Sequence, residues 1–287
     1  MSKPSHLLDA EARFISNHSS VTVPVAEDAS RQRSWDELAC QLGFNNLLSS
    51  ANQVHSARLR AAASPHTGAW LQALPSSSLG LHLDGETVRI NVALRLGAPV
   101  FEPHKCRCGR MVSSLGHHGL ACGKKNEGRG ARHYALNDIV KRSLRAAGVP
   151  SWLEPLGLDR GDGKRPDGLT VFPFTEGKCL TWDATCTDTF CKTAINEAAI
   201  NPGAAATKAE QRKRTLYSNL QDQYRFEPLA IETTGVYGKS SARFISELGR
   251  RISGCTGDKR ETHWLRQRLA IAVVRGNAKS IHATGGV

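Results

Sequence analysis

Residues 164–185 read KRPDGLTVFPFTEGKCLTWDAT, and the reading of this stretch decides the fold. Two apolar runs flank the turn Thr175-Glu176-Gly177-Lys178. Val171, Phe172 and Phe174 weight the first run toward strand, and Cys179, Leu180 and Trp182 weight the second. Pro166 can open a strand because no ladder N–H is lost there. The stretch therefore reads as a β-hairpin with one acid, Asp167, at its entry and a second, Asp183, inside its second arm. Antiparallel pairing brings the two carboxylates together. Such a pair is costly unless a cation or a shared proton compensates. Oxygen ligands of this kind suit Mg²⁺, which takes one or two carboxylates and completes its shell with water and phosphate oxygens.

Outside the hairpin, composition narrows the function classes. The chain has 287 residues, 38 Lys and Arg against 26 Asp and Glu, and a net charge of +12. That length allows one large domain or two smaller ones. An excess of this size favours polyanionic partners such as nucleic acid. No run is long and apolar enough to span a bilayer, and no basic amphipathic helix argues for a membrane surface. Residues 1–20 have no signal-peptide core. The eight cysteines therefore point to a reducing, intracellular setting, where clustered thiols favour metal over disulfides.

One such cluster precedes the hairpin. Residues 104–122 read HKCRCGRMVSSLGHHGLAC, giving Cys106, Cys108, His118 and Cys122 as a Cys-Cys-His-Cys set suited to tetrahedral Zn²⁺. The single residue between the first two cysteines is tight, so His104 or His117 stays open as a substitute ligand. Four protein ligands leave no position for chemistry, which makes the expected zinc structural. Lys124, Lys125, Arg129 and Arg132 follow as a basic linker, placed to meet phosphate.

The remaining elements follow from periodicity and breakers. Residues 1–30 read as a weakly patterned leader. Ser34 and Glu37 form a capping box opening a helix that Gly43 can end, and a second helix covers about 45–62. Residues 84–96 are ambiguous: Val88, Ile90, Val92, Leu94 and Leu96 alternate as in a strand, yet Asp84 can cap a helix. A helix is expected over about 132–146, a strand over 152–158 carrying Glu154, a helix over 204–220 bearing Lys213 and Tyr217 on one face, a strand over 226–233 containing Glu232, and two closing helices.

A PD dipeptide followed by an acid in the next strand resembles the PD-(D/E)XK nucleases, although the family's Lys two residues beyond the second acid is Thr185 here. The order of motifs goes further. The Cys-Cys-His-Cys knuckle, the pair Arg132-His133, the KRPDG and WDAT segments, and then a helical Lys and Tyr together resemble the C-terminal region of site-specific non-LTR retrotransposon polyproteins. In those a zinc knuckle precedes a restriction-like endonuclease. The resemblance covers about residues 101–276, and no reverse transcriptase signature accompanies it. The chain thus reads as a fragment, a degraded copy or a gene derived from such an element.

The resemblance implies an α/β fold, a PD-(D/E)XK-like mixed sheet flanked by helices. It divides the chain into a helical linker over 1–100, a zinc knuckle over 101–125 and an endonuclease domain over 126–287. It implies catalytic Mg²⁺ on Asp167 and Asp183, with Lys213 standing in for the missing Lys and Tyr217 binding phosphate. Glu154 and Asp138 are further ligand candidates, more plainly read as surface acids, and Glu232 reads as structural. Lys164, Arg165, Arg212 and His133 join the basic linker as nucleic-acid contacts. The implied partners are DNA and the element's RNA, in the nucleus. A zinc-dependent nucleic-acid-binding module without catalysis is the alternative.

Overall fold

The computed structural model of the chain describes residues 5–17, 23–24, 31–123, 127–158 and 163–285. In chain order the helices are α1 (Ser5–Asn17), α2 (Gln32–Ser49), α3 (Gln53–Ala63), α4 (Gly85–Leu96), α5 (His117–Ala121), α6 (Glu127–Ala146), α7 (Ile195–Ala198), α8 (Ala204–Leu216), α9 (Lys239–Thr256) and α10 (Glu261–His282). The strands are β1 (His104–Lys105), β2 (Met111–Val112), β3 (Ser151–Leu153), β4 (Gly168–Thr175), β5 (Lys178–Thr187) and β6 (Arg225–Glu232). The fold is mixed α/β. A four-stranded sheet in the order β3-β4-β5-β6 carries helices on both faces.

The hairpin forms as its sequence directs. Glu176 and Gly177 both have positive φ, 51° and 73°, as a two-residue primed turn requires. β4 and β5 pair antiparallel, with Gly168 opposite Trp182. β5 then runs past the start of β4 and pairs in parallel with β6 up to Thr187 and Glu232. Alternation along β5 sorts its side chains onto two faces. Leu180, Trp182 and Ala184 join the main core with Leu136, Val140, Leu248 and Leu269. Each fully buried large apolar side chain there contributes roughly 1.5–3 kcal/mol. Asp183 points to the other face, where α8 lies.

Gly168 is the one residue type that fits its place. A Cβ there would stand 2.0 Å from the Trp182 ring, so the glycine after Asp167 lets β4 close onto the indole. Pro228 is accommodated because β6 is an edge strand.

Two buried acids tie helix starts to the sheet. Glu232 accepts from the N–H groups of Ala205 (3.0 Å) and Ala206 (3.3 Å) at the start of α8. Glu210 accepts from the N–H groups of Ser240 (3.1 Å) and Ser241 (2.8 Å) at the start of α9. Each supplies the anion that a helix N-terminus favours and that the local glycine caps lack. Glu232 is thus structural, as its sequence position suggested.

Several boundaries differ from expectation. The leader contains α1, whose Phe14 packs edge-on against Trp35 of α2 at 4.9 Å. α2 runs through Gly43, and the break falls where Asn52 caps α3 by accepting from His55 N–H at 3.0 Å. Residues 84–96 are helical: Asp84 accepts from Thr87 N–H at 2.7 Å and Gly97 closes α4 with a φ of 72°. β3 is only three residues long, because Glu154 turns the chain with a φ of 49° just ahead of Pro155. α6 begins five residues before the expected start.

Within the expected N-terminal linker, α4 and the 3₁₀ turn Ala69–Gln72 pack onto the C-terminal helix. α10 is packed by α6 and α9 from the main core, by α4 and α5, and by the 3₁₀ turn Ala69–Gln72. Ile90, Val100, Leu120, Ala278 and Ile281 form one shared apolar cluster. Asn277 of α10 donates to Thr233 O and Asn91 Oδ1 while accepting from Arg132. No helix among the described residues is long and apolar enough to cross a membrane.

Candidate active site and metal centre

The open end of the hairpin is where β4 starts and β5 continues with β6 alone. Asp167 and Asp183 sit at this fork. The Asp167 carboxylate accepts from Ala184 N–H at 2.7 Å and lies 3.0 Å from His133 Nε2 on α6. The Asp183 carboxylate is 5 % exposed and meets Lys213 Nζ of α8 at 2.7 Å. Helices on opposite faces of the sheet therefore each deliver one basic group to one acid.

The electrostatics show that the two acids feel one another. Burial raises the Asp183 pKa first, and the Asp167 charge raises it further; Lys213 and the Tyr217 hydroxyl offset only part of this. His133 is raised above its ordinary value, chiefly by its hydrogen bond to Asp167, with the charges of Asp167 and Asp183 adding to it against burial. This is the environment that a divalent cation relieves, since it replaces carboxylate repulsion by attraction to both. The donor set fits a hard oxygen-seeking ion that takes its remaining ligands from water and phosphate.

Asn137 was not foreseen as part of this site. Its Oδ1 accepts from Trp182 Nε1 at 2.9 Å, and its Nδ2 lies 3.3 Å from His133 Nε2. The signal was the i, i+4 spacing of His133 and Asn137 on one helix face.

The basic residues divide. Arg129, Arg212 and Lys213, with the acid Asp188, line a groove of about 400 Å³ that runs from Lys213 and Thr185, beside the fork, to Leu120 and Ala121 of the knuckle. Lys164 is exposed. Arg165 pairs with Glu154 at 2.6 Å, which also removes Glu154 as a ligand of the fork; exposed pairs of this kind are weak enough to yield to phosphate. Asp138 likewise pairs with Arg142 at 2.7 Å on the outer face of α6. Lys124 and Lys125 lie outside the described residues.

Two expectations are corrected. Arg132 does not reach phosphate: it is 1 % exposed, and its guanidinium donates to Asn277 Oδ1 (3.0 Å), Ser280 Oγ (3.0 Å) and Leu120 O (3.1 Å). Its stem crosses Gly276, where a Cβ would collide with it. Tyr217 is 3 % exposed and donates to Arg165 O at 2.9 Å, so it positions the KRPDG segment and Asp183 rather than meeting substrate. His133 lies in the second turn of α6 and does not cap it; its Nε2 is engaged by Asp167, and its ring is still partly exposed.

In the knuckle, Cys106, Cys108, His118 and Cys122 bring one ligand atom each within 4.8 Å of all the others. The Cys106 and Cys122 sulfurs are 3.9 Å apart, and Cys108 Sγ is 3.2 Å from His118 Nε2. Tetrahedral zinc with bonds of about 2.3 Å spaces its sulfurs by roughly 3.8 Å. The four can hold a metal such as zinc. The alternatives are resolved: His104 Nε2 lies 2.9 Å from Thr284 Oγ1, and His117 stacks on Phe190 with ring centroids 4.0 Å apart. Burial lowers the His117 pKa to about 4, keeping that ring neutral.

No protein-family model matches the chain, and no curated protein matches it.

Proposed function

We propose that the chain is a metal-dependent DNA endonuclease of retrotransposon origin, built on a PD-(D/E)XK-like core that a structural zinc knuckle precedes. The observation that carries the reading is the fork: two mutually repelling carboxylates, Asp167 and Asp183, with the Lys213 amine 2.7 Å from the second. A surface built only to bind nucleic acid gains nothing from burying an acid beside another. The net charge of +12 and the groove of Arg129, Arg212 and Lys213 beside the fork suit a phosphate backbone as substrate. DNA is the proposed target, the element's RNA a further partner, and the nucleus the proposed location.

Mg²⁺ held by Asp167 and Asp183 would polarise the scissile phosphate and lower the pKa of its bound water. The chain's own groups do the rest. Lys213, on a rigid helix, answers for the lysine missing at Thr185; it orients the attacking water or stabilises charge developing on the phosphoryl oxygens. His133 fixes the Asp167 carboxylate, and Ala184 N–H holds the same oxygen from the strand side. Tyr217 anchors Arg165 O and so keeps the backbone before Asp167 in place.

Nicking of supercoiled plasmid in Mg²⁺ tests this. The parent should cut, and EDTA, Asp167→Ala and Asp183→Ala should each reduce the rate roughly a thousandfold or more. Intact DNA binding with no cutting by the parent would leave the non-catalytic, zinc-dependent binding module.

A further inference from the structure

α6 has a second working face. His133 and Asn137 point to the fork, whereas Ala131, Ala135, Asp138 and Arg142 face the opposite way and form one wall of a separate groove of about 410 Å³. The facing wall is α10, through Arg268, Ala272, Arg275, Gly276 and Lys279, and residues 77–81 close the side. The small residues of both helices make the floor, so the cations stand on its rim. Arg268, Arg275 and Lys279 recur at helical spacing and span roughly 16 Å of α10, and Arg142 joins them from α6.

The charges in this groove are not balanced from within. Its single lining acid, Asp138, is taken by Arg142. Arg275 donates to a neutral acceptor, His82 O, at 2.6 Å. The Arg268 side chain forms no hydrogen bond or ion pair among the described residues; it is half-buried, and Glu261 and Arg142 act on its charge only at longer range and with opposite signs. The Lys279 side chain is exposed and likewise makes none among the described residues. A half-buried guanidinium with no hydrogen-bonded acceptor is free to take a charge-assisted bond from an incoming anion.

We propose that this groove binds the phosphate backbone of a second nucleic-acid segment, independently of the fork. A linear row of cations matches a linear polyanion. Its length corresponds to about five phosphates at roughly 3.4 Å of axial rise each. No aromatic side chain lines the groove, so it offers the backbone charge to meet and no platform for base stacking. The fork and the groove on opposite sides of α6 can hold two segments at once.

The test is binding of fluorescent 30-nucleotide single strands and 30-base-pair duplexes to the full chain across a salt series. Arg268→Ala with Lys279→Ala should lower the salt slope by about 2 and weaken binding on the order of tenfold near 0.15 M salt. The charge-matched control Arg243→Ala with Lys259→Ala, outside both grooves, should do neither, and equal melting temperatures show that both variants fold. Single strands and duplexes affected alike mean backbone recognition; one form affected alone identifies the form the groove takes. Parent affinity and slope in the groove variant would overturn the proposal, and so would an equal loss in the control. Poly-glutamate or inorganic phosphate competing as well as DNA at equal anion concentration would overturn the assignment to nucleic acid. The Asp167→Ala chain, tested alongside, separates this result from the nuclease reading, because groove binding should survive that substitution.

Discussion

The knuckle and the fork both crowd together groups that resist crowding, and they differ in what surrounds them. In the knuckle, four ligand atoms converge within 4.8 Å and face only one another, which leaves no open position. At the fork, two acids converge and each is already held by a basic side chain from a different helix. A closed set with nothing but ligands fits the proposed structural clamp. An open pair of acids, restrained but still electrostatically strained, fits the proposed chemistry, in which incoming metal and phosphate would exchange with what holds them.

The sharpest contrast should come from disabling the clamp. Cys122→Ser should abolish stoichiometric zinc and cost several kcal/mol of stability. Proteolysis should then begin within residues 101–123, as mass spectrometry of the fragments would reveal. If metal content and melting stay at parental values, the knuckle is not a zinc clamp. At the fork, Lys213→Ala should slow cleavage about a hundredfold and, because it leaves Asp183 buried without its cation, also cost some stability at pH 7. A slowing no greater than that of Arg212→Ala would reduce Lys213 to one more groove cation.

A smaller effect separates strain from stabilisation. The Asp183 carboxyl has a raised pKa in the folded chain, so its charged form is less favourable there than in the unfolded chain. The resulting penalty grows as pH rises through the unfolded value and is complete above the folded one. Asp183→Asn should therefore stop cleavage yet melt no lower than the parent at pH 7, with any advantage shrinking toward pH 4. A marked loss of stability at pH 7 would show that the Lys213 pair outweighs the strain.

The smallest effect concerns His133. Its pKa is raised, so its stabilising contribution is complete below about pH 6.5 and declines as pH rises through the higher folded value. His133→Gln should narrow its stability deficit to the parent between pH 6 and pH 8. A deficit that does not change with pH would assign His133 a packing role alone.

The hairpin was legible because its local signals agreed: strand-forming aromatic weight in both arms, a proline at the entry and a Glu-Gly turn between them. The helix that brings Lys213 to Asp183 was legible from the apolar spacing after the second acid, and the Cys106-Cys108-His118-Cys122 cluster, which can hold a metal such as zinc, from its spacing. Arg132 was misread because its neighbours are basic and its partners, Asn277 and Ser280, lie 145 and 148 residues away. Residues 84–96 carried a strand-like alternation that the Asp84 cap and the Gly97 terminus override. The role of α10 as the common support of knuckle, N-terminal helices and core is a tertiary fact; its sequence showed only an apolar helix. Glu154 and Asp138 were left open as ligands because an acid's partner, Arg165 or Arg142, cannot be chosen before the fold is known.

Manganese binding to the fork is the most direct check. Mn²⁺ can replace Mg²⁺ at oxygen sites and is counted by electron paramagnetic resonance, with duplex DNA present and the zinc content held constant. At least one Mn²⁺ should bind the parent, and that ion should be lost in both Asp167→Ala and Asp183→Ala while zinc stays in the knuckle. Equal Mn²⁺ binding by the parent and both variants would contradict the assignment of the two carboxylates as one metal site.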